Sequence, residues 1–338
     1  DITTSAVPSQ IKTFFKRTVD TGIAHGTVTI MIDKTGYEVT TYRIDGEYED
    51  GRHPKSVEFS DRLVDDLCRR DFTINAMAYN DTDGFVDEFK GLDDLDTKII
   101  RCVGEPELRF TEDALRMMRA IRFSAQLGFT IDEATWNAIK KLSPSISKIS
   151  MERVHVELGK TLMSAHPDYV AQYSEAGLFA PILPVIDNAL KSRYKRKILA
   201  TLQHTPDNIY LRYAALFITS TPDEAAKTLR ALKLDNKTVN TVSKLVELSK
   251  MDIEETEPAV RTALNKYGRD FLPLWHELMM AVIQASEDIT GISNPAKVKH
   301  LLTLKRLGTD ILARGDCFTI KDLDISGNDL IEYGLQGH

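Results

Sequence analysis

Apolar positions along the chain repeat with two different periods. Near the start, GTVTIMID and YEVTTYRI are β-branched runs separated by KTG. Runs of this kind around a glycine turn predict a β-hairpin. PSQIKTFFKRT, which opens on Pro8, has the spacing of a short helix. Asp83-Gly84 is a second hairpin signal. From about Arg101 onward the strand signals fade. TEDALRMMRAIRFSAQLGF, DEATWNAIKKL, SMERVHVELGKTLMS, PDYVAQYSEAGL and PDEAAKTLRALKL space their apolar residues as amphipathic helices do. Gly128, Gly177 and several prolines punctuate them, and SGNDL near the end reads as an N-cap with a helix behind it. The pattern predicts a small α/β head followed by a long all-helical body, with no internal repeat.

A chain of 338 residues is too long for one ordinary core, so two or more domains are expected. With 42% hydrophobic and 28% charged residues it has the composition of a soluble globular protein. No apolar run is long enough to span a membrane, and no signal peptide is visible. Cys68, Cys102 and Cys317 are scattered, which suits a reducing cytoplasm and offers no disulfide framework or zinc spacing. The net charge of -7 argues against a strong nonspecific nucleic-acid binder but leaves room for a local basic groove.

Several stretches carry candidate chemistry. CRRDFTINAMAYN holds Arg69, Arg70, Asp71 and Asn75. Arginine binds phosphate as a bidentate donor, and Asp or Asn can take ribose hydroxyls; the plainer reading is a helix with surface charges. Asp87, Asp93, Asp94 and Asp96 tempt as a metal cluster, but no Glu closes a calcium loop, and a solvated turn is the better reading. Gly22 and Gly26 precede a strand without matching a phosphate-loop fingerprint. In RFTEDALRMMRAIRF, Asp113, Arg116, Arg119 and Arg122 follow at intervals of three. On one continuous helix each step of three turns by about 300°, so neighbours touch, but the series drifts half a turn around the axis. Exposed pairs stabilise by only about 0.3–0.5 kcal/mol each, a weak reason for the pattern. An acid beside an arginine has a specific ability, however. The carboxylate accepts from the exocyclic amine of cytosine or adenine, and the arginine donates to a ring nitrogen or carbonyl. Guanine and uracil present a carbonyl where that amine would be.

Taken in order, these motifs resemble the class II tRNA nucleotidyltransferases (CCA-adding enzymes) and their bacterial poly(A) polymerase relatives. DITTSA is similar to the end of the family's metal motif, RRDFTINAMA to its ribose and nucleotide motif, DGFVDEFKGLDDL to its hinge-like motif, EDALRMMRAIRF to its nucleotide-selecting motif, and SMERVHVELGKTL to a fifth, around Glu152, Arg153 and Glu157. The resemblance implies an α+β protein: a small mixed-sheet nucleotidyltransferase head, N-terminally incomplete, then an all-helical neck, body and tail. The boundaries it suggests are 1–102 for the head, 103–164 for the neck, 165–255 for the body and 256–338 for the tail. It implies Asp1 as a Mg²⁺ ligand and catalytic residue, and Arg70, Arg119 and Arg122 at the nucleotide phosphates. It also implies Asp71 at the ribose, and Asp113 and Arg116, helped by Glu112, at the base edge. CTP and ATP would be the substrates, the tRNA acceptor and T arms the partner, and the cytoplasm the location. The family's glycine–glycine–arginine segment and the first aspartate of its metal pair do not appear, so on this resemblance the upstream segment would be needed for activity. The segment TYRIDGEYEDGRHP favours an enzyme that also adds A. A poly(A) polymerase or A-adding specialist is the nearest alternative. A noncatalytic RNA-binding protein and an unrelated helical scaffold with surface ion pairs are the readings from other classes.

Overall fold

The β-branched runs near the N-terminus form one four-stranded sheet in the computed structural model, which describes residues 2–46, 56–319, 322, 325 and 327–334. Its strands are β1 (Ile2–Thr4), β2 (Thr18–Gly22), β3 (Thr27–Ile32) and β4 (Thr35–Thr41), with helix α1 (Pro8–Phe14) between the first two. Their order is β1-β4-β3-β2, with β1 parallel to β4 and the other pairs antiparallel, so the sheet is mixed. Strand alternation sorts the faces. Val28, Ile30 and Val39 are buried with Ile11 of α1. Thr27, Thr29, Glu38 and Thr40 take the other parity, where Thr27–Thr40 and Thr21–Thr29 hydroxyls are hydrogen-bonded at 3.0 and 2.9 Å. The hairpin turn falls one step earlier than KTG suggests. Asp33 and Lys34 form it, with φ of 48° and 69°, while Thr35 and Gly36 already pair in β4. Two successive left-handed residues match the twist of the flanking strands.

Asp1–Pro184 forms one compact unit and Val185–His338 another. In the first, two short antiparallel pairs follow the sheet: β5 (Arg43–Asp45) with β6 (Val57–Phe59), and, after helix α2 (Leu63–Cys68), β7 (Ala78–Asn80) with β8 (Gly84–Val86). Asn80 Oδ1 accepts from the backbone of Thr82 and Asp83 in the second turn, and Gly84 adopts φ 71°. Helix α3 (Gly91–Thr97) and strand β9 (Ile99–Ile100) come next. The aspartates there differ from a simple solvated turn. Asp87 accepts from Gly91 and Leu92 N–H at the start of α3, and Asp94 is buried against Thr73 and Arg101. Helices α4 (Pro106–Glu112) and α5 (Leu115–Leu127), strand β10 (Thr130–Ile131), and helices α6 (Glu133–Leu142), α7 (Met151–Leu162) and α8 (Val170–Glu175) complete the unit. Helix α5 is its spine: Met117, Met118, Ala120, Ile121 and Ala125 are fully buried, and it packs on α7 and α8.

The second unit is helical: α9 (Pro184–Lys191), α10 (Lys195–His204), α11 (Ile209–Leu216), α12 (Pro222–Ala231), α13 (Asn236–Leu248), α14 (Glu257–Tyr267), α15 (Phe271–Thr290), α16 (Pro295–Ala313) and α17 (Gly327–Glu332). Thr221 and Glu224 form a capping box at the start of α12. Helix α15 packs on α10, α13 and α16, and buries Trp275, whose indole N–H donates to Leu248 O. Small mixed sheet first and helices thereafter is the architecture the patterning predicted. No helix among the described residues is long and apolar enough to cross a membrane.

Candidate active site

The RFTEDALRMMRAIRF stretch is two helices, and the break decides which side chains meet. Glu112 ends α4, and Asp113 sits between the helices with φ -144° and ψ 104°. Its Oδ1 accepts from Leu115 N at 3.0 Å, so it caps the helix that follows. This corrects the expectation that Asp113 and Arg116 are side-chain neighbours on one continuous helix. Asp113 pairs instead with Arg153 of α7 at 2.7 Å, and Arg116 with Glu112 at 2.6 Å.

Arg116 is also a tie between segments. Its guanidinium donates to Arg109 O at 3.2 Å and to Arg69 O at 2.9 Å. With the Glu112 contact, three of its five N–H donors are engaged. Arg109 holds the other side of Glu112 at 2.5 Å. The helix is thereby bound to the RRDF segment, which is a loop and a single helical turn rather than a charged helix.

In that loop, Asp71 is buried and organises its neighbours. Its Oδ1 accepts from Phe72 N at 2.9 Å and Asn75 Nδ2 at 3.1 Å, and its Oδ2 accepts from Arg119 Nε at 2.7 Å. An isolated Phe72–Cys102 bridge pins the loop to the strand side. Burial pushes the Cys102 thiol up to about 12, so it is an inert core group. Arg119 continues the chain of charges toward Glu157, 4.0 Å away. Glu157 in turn accepts from Arg122 Nε at 2.6 Å. Arg122 donates also to Gln126 and stacks on the Phe123 ring at 3.7 Å. Arg70 reaches Asp66 at 3.2 Å, and its Nε is a buried donor with no hydrogen-bond partner among the described residues.

The structure thus gathers Asp71, Arg119 and Arg122 into one line of alternating charge through Glu157. It places two separate acid–arginine pairs at the α4–α5 junction: Glu112–Arg116 within the helix–loop–helix, and Asp113 with Arg153 of α7. Half-turn drift is resolved by burial: Arg119 keeps 32% side-chain exposure, whereas Arg122 keeps 7%. Arg153, Glu157 and Arg109 were not singled out as site residues. Arg153 and Glu157 had been named only as part of the fifth motif, and their spacing of four on one predicted helix put them on one face. Glu38 is a carboxylate that the sequence reading did not name. It is exposed on β4 directly before Val39, which pairs with Ile2. Asp1 lies outside the described residues, as does most of the TYRIDGEYEDGRHP segment, residues 47–54. Among the described residues, no group of three or more His, Cys, Asp or Glu side chains comes together to hold a metal ion.

Comparison with known proteins gives this geometry a family. A model of the poly A polymerase head domain matches residues 1–101. A second, described as the probable RNA and SrmB-binding site of polymerase A, matches residues 128–190. A CCA-adding enzyme of Latilactobacillus sakei is 37% identical over 341 aligned positions, covering 99% of this chain and 80% of the relative. With a sheet-bearing head, a helical remainder and this match across nearly the whole chain, the protein belongs to the family of the CCA-adding enzymes. A CCA-adding enzyme of Ligilactobacillus salivarius is 53% identical over 167 residues, and that match spans 49% of this chain and 41% of the relative. The Bacillus stearothermophilus CCA-adding enzyme, solved in complex with CTP, superimposes with a TM-score of 0.72 at 31% identity, covering 99% of this chain and 79% of that one.

Proposed function

We propose that this protein adds C, C and A to the 3′ ends of tRNA without a template, using CTP and ATP. In the reaction, the RNA 3′-hydroxyl oxygen attacks the α-phosphorus of the nucleotide. The bond to the β-phosphate bridging oxygen breaks, pyrophosphate leaves, and the hydroxyl proton passes to solvent. The observation that carries the reading is the pair of acid–arginine couples, Asp113–Arg153 and Glu112–Arg116, the second tied through Arg116 to the loop that holds Arg70 and Asp71.

Asp113 accepts from the exocyclic amine of C or A, with Arg153 fixing the orientation of its carboxylate. Arg116 donates to the base with the N–H groups that its protein contacts leave over, and Glu112 positions it. Asp71 meets the ribose, and Arg119 and Arg122 act at the nucleotide phosphates. Arg70, with an unpartnered donor, does the same. The four-part division at 102, 164 and 255 belongs to this proposal, as do the tRNA acceptor and T arms as partner and the cytoplasm as location. Mg²⁺ is part of the proposal too, with Asp1 as one ligand and the Glu38 carboxylate on the strand beside β1. When bound, the ion would lower the pKa of the attacking hydroxyl and screen the phosphates.

Full-length protein incubated with tRNA lacking CCA, and with each nucleotide singly and together, tests the reading. Expected are C addition from CTP and terminal A only after it, abolished by EDTA and restored by Mg²⁺. The head-domain match to poly A polymerase favours one other reading, a polymerase of A. Incorporation of ATP alone onto generic RNA would establish it and overturn CCA addition. Stable RNA binding with no incorporation at all would establish a noncatalytic binder.

A further inference from the structure

The end of the head sheet carries a surface to which nothing above assigns a role. Helix α1 stops at Phe14, and the chain passes through Phe15, Lys16 and Arg17 before β2 begins. Met31 N donates to Arg17 O at 2.9 Å, so this segment lies beside the turn that joins β3 to β4. Phe14 is 77% exposed, Phe15 38% and Ile32, at the end of β3, 46%. Lys16, Arg17 and Lys34 are exposed as well. None of these three cations has an acidic partner among the described residues; the ion pair nearby, Lys12–Asp20 at 2.6 Å, uses none of them. Asp33, in the turn itself, is the acid closest in sequence to Lys34.

Charges next to an edge strand are a common guard against edge-to-edge pairing. Since β2 is an edge strand, that accounts for Lys16 and Arg17. It does not account for two adjacent phenylalanines left in water. Aromatic faces interleaved with unpaired cations are the surface on which single-stranded nucleic acid sits: bases stack on the rings, and phosphates meet the cations. A duplex offers no free base faces. We propose that Phe14, Phe15, Lys16, Arg17 and Lys34 bind the unpaired 3′ strand of an RNA substrate. The site rests on the reading above that the substrate is an RNA 3′ end.

Two labelled RNA hairpins test it by fluorescence anisotropy with the full chain: one blunt, one with a short unpaired 3′ tail. Wild-type protein is expected to bind the tailed RNA more tightly. Phe14→Ala, and Lys16→Glu with Arg17→Glu, should each weaken the tailed complex about tenfold and leave blunt RNA within twofold, comparable to one or two stacked bases. Phe14→Trp should restore tail binding, which a merely structural role would not predict. The charge variant should also flatten the salt dependence by about 0.7 per lost phosphate contact on a single strand. No preference for the tail, equal weakening on both RNAs, or unchanged binding with altered self-association would each overturn the site. Wild-type protein that binds the tail but adds no nucleotide would overturn the activity and leave this site standing. Wild-type protein that adds nucleotides while the variants bind as it does would overturn this site alone.

Discussion

Arg122 shares its guanidinium between Glu157 and Gln126, and both members of the Arg122–Glu157 pair keep under a tenth of their side-chain surface. Removing one of them strands a buried charge. Arg122→Met is therefore expected to cost about 3–5 kcal/mol in chemical denaturation. Arg122→Met with Glu157→Met should recover most of that loss, because the uncompensated charge is gone. If the double variant also recovers activity, Arg122 has no role at the phosphates; if it is stable but slow, the phosphate role stands. Arg116→Ala should blur the choice between C and A on one side and U on the other. It should also cost about 1–3 kcal/mol, because it frees the carbonyls of Arg69 and Arg109 and the carboxylate of Glu112. Arg153→Ala separates the two effects. Its pair with Asp113 is partly exposed, so stability should fall by no more than about 1 kcal/mol. The CTP over UTP ratio of kcat/KM should nevertheless drop at least tenfold, if Asp113 is held for base reading. An unchanged ratio at normal stability would remove Asp113 from that role.

Among the elements, the break at Asp113 matters most, and spacing did not reveal it. Apolar residues continue at helical intervals from Phe110 to Leu127, so periodicity sees one helix. Only the packing of α4 on α6 and of α5 on α7 shows that the two pieces diverge. What the break does is local chemistry that the sequence allowed: Asp is a good cap for the helix it precedes. The other end of α5 was legible. Gly128 sits at φ 68°, and an added Cβ would lie 2.8 Å from His166 Nε2. Gly128→Ala should therefore cost about 1–2 kcal/mol from left-handed strain alone, read as a lower melting temperature. A larger loss would mean that His166 cannot move aside. Likewise, the hairpin between β3 and β4 was predicted, but its turn lies one step off, because Asp33 and Lys34 take the left-handed conformation in place of the glycine.

Of the two compact units, the second carries two groups that respond to pH in different windows. In the second, His276 is buried on α15, and burial together with Lys305 holds its imidazole below the ordinary value of 6.5. The folded chain then binds that proton less readily than the unfolded chain. Stability is full above 6.5, falls as pH drops through 6.5, and levels off below the folded value. His276→Gln should flatten the denaturation free energy between about pH 7.5 and 5.5. An unchanged slope would assign the dependence to other groups. Asp316 acts in a more acidic window: Arg314 and Arg261 hold its carboxyl at about 2, so its contribution persists above 3.8 and is lost as pH falls toward 2.

The sequence by itself determined the order of the parts: a β-branched head, then helices, with Arg70, Asp71, Glu112 and Asp113 in ordered motifs. Those are local properties, set by strand alternation, helical spacing and the chemistry of individual side chains. The tertiary structure alone decided the partners. Asp113 faces Arg153, forty residues on, and Asp71 faces Arg119, because α5 packs on α7 and crosses beside the RRDF loop. Charges far apart in the chain leave no periodic signal, and which arginine a carboxylate meets depends on where packed helices bring the two together.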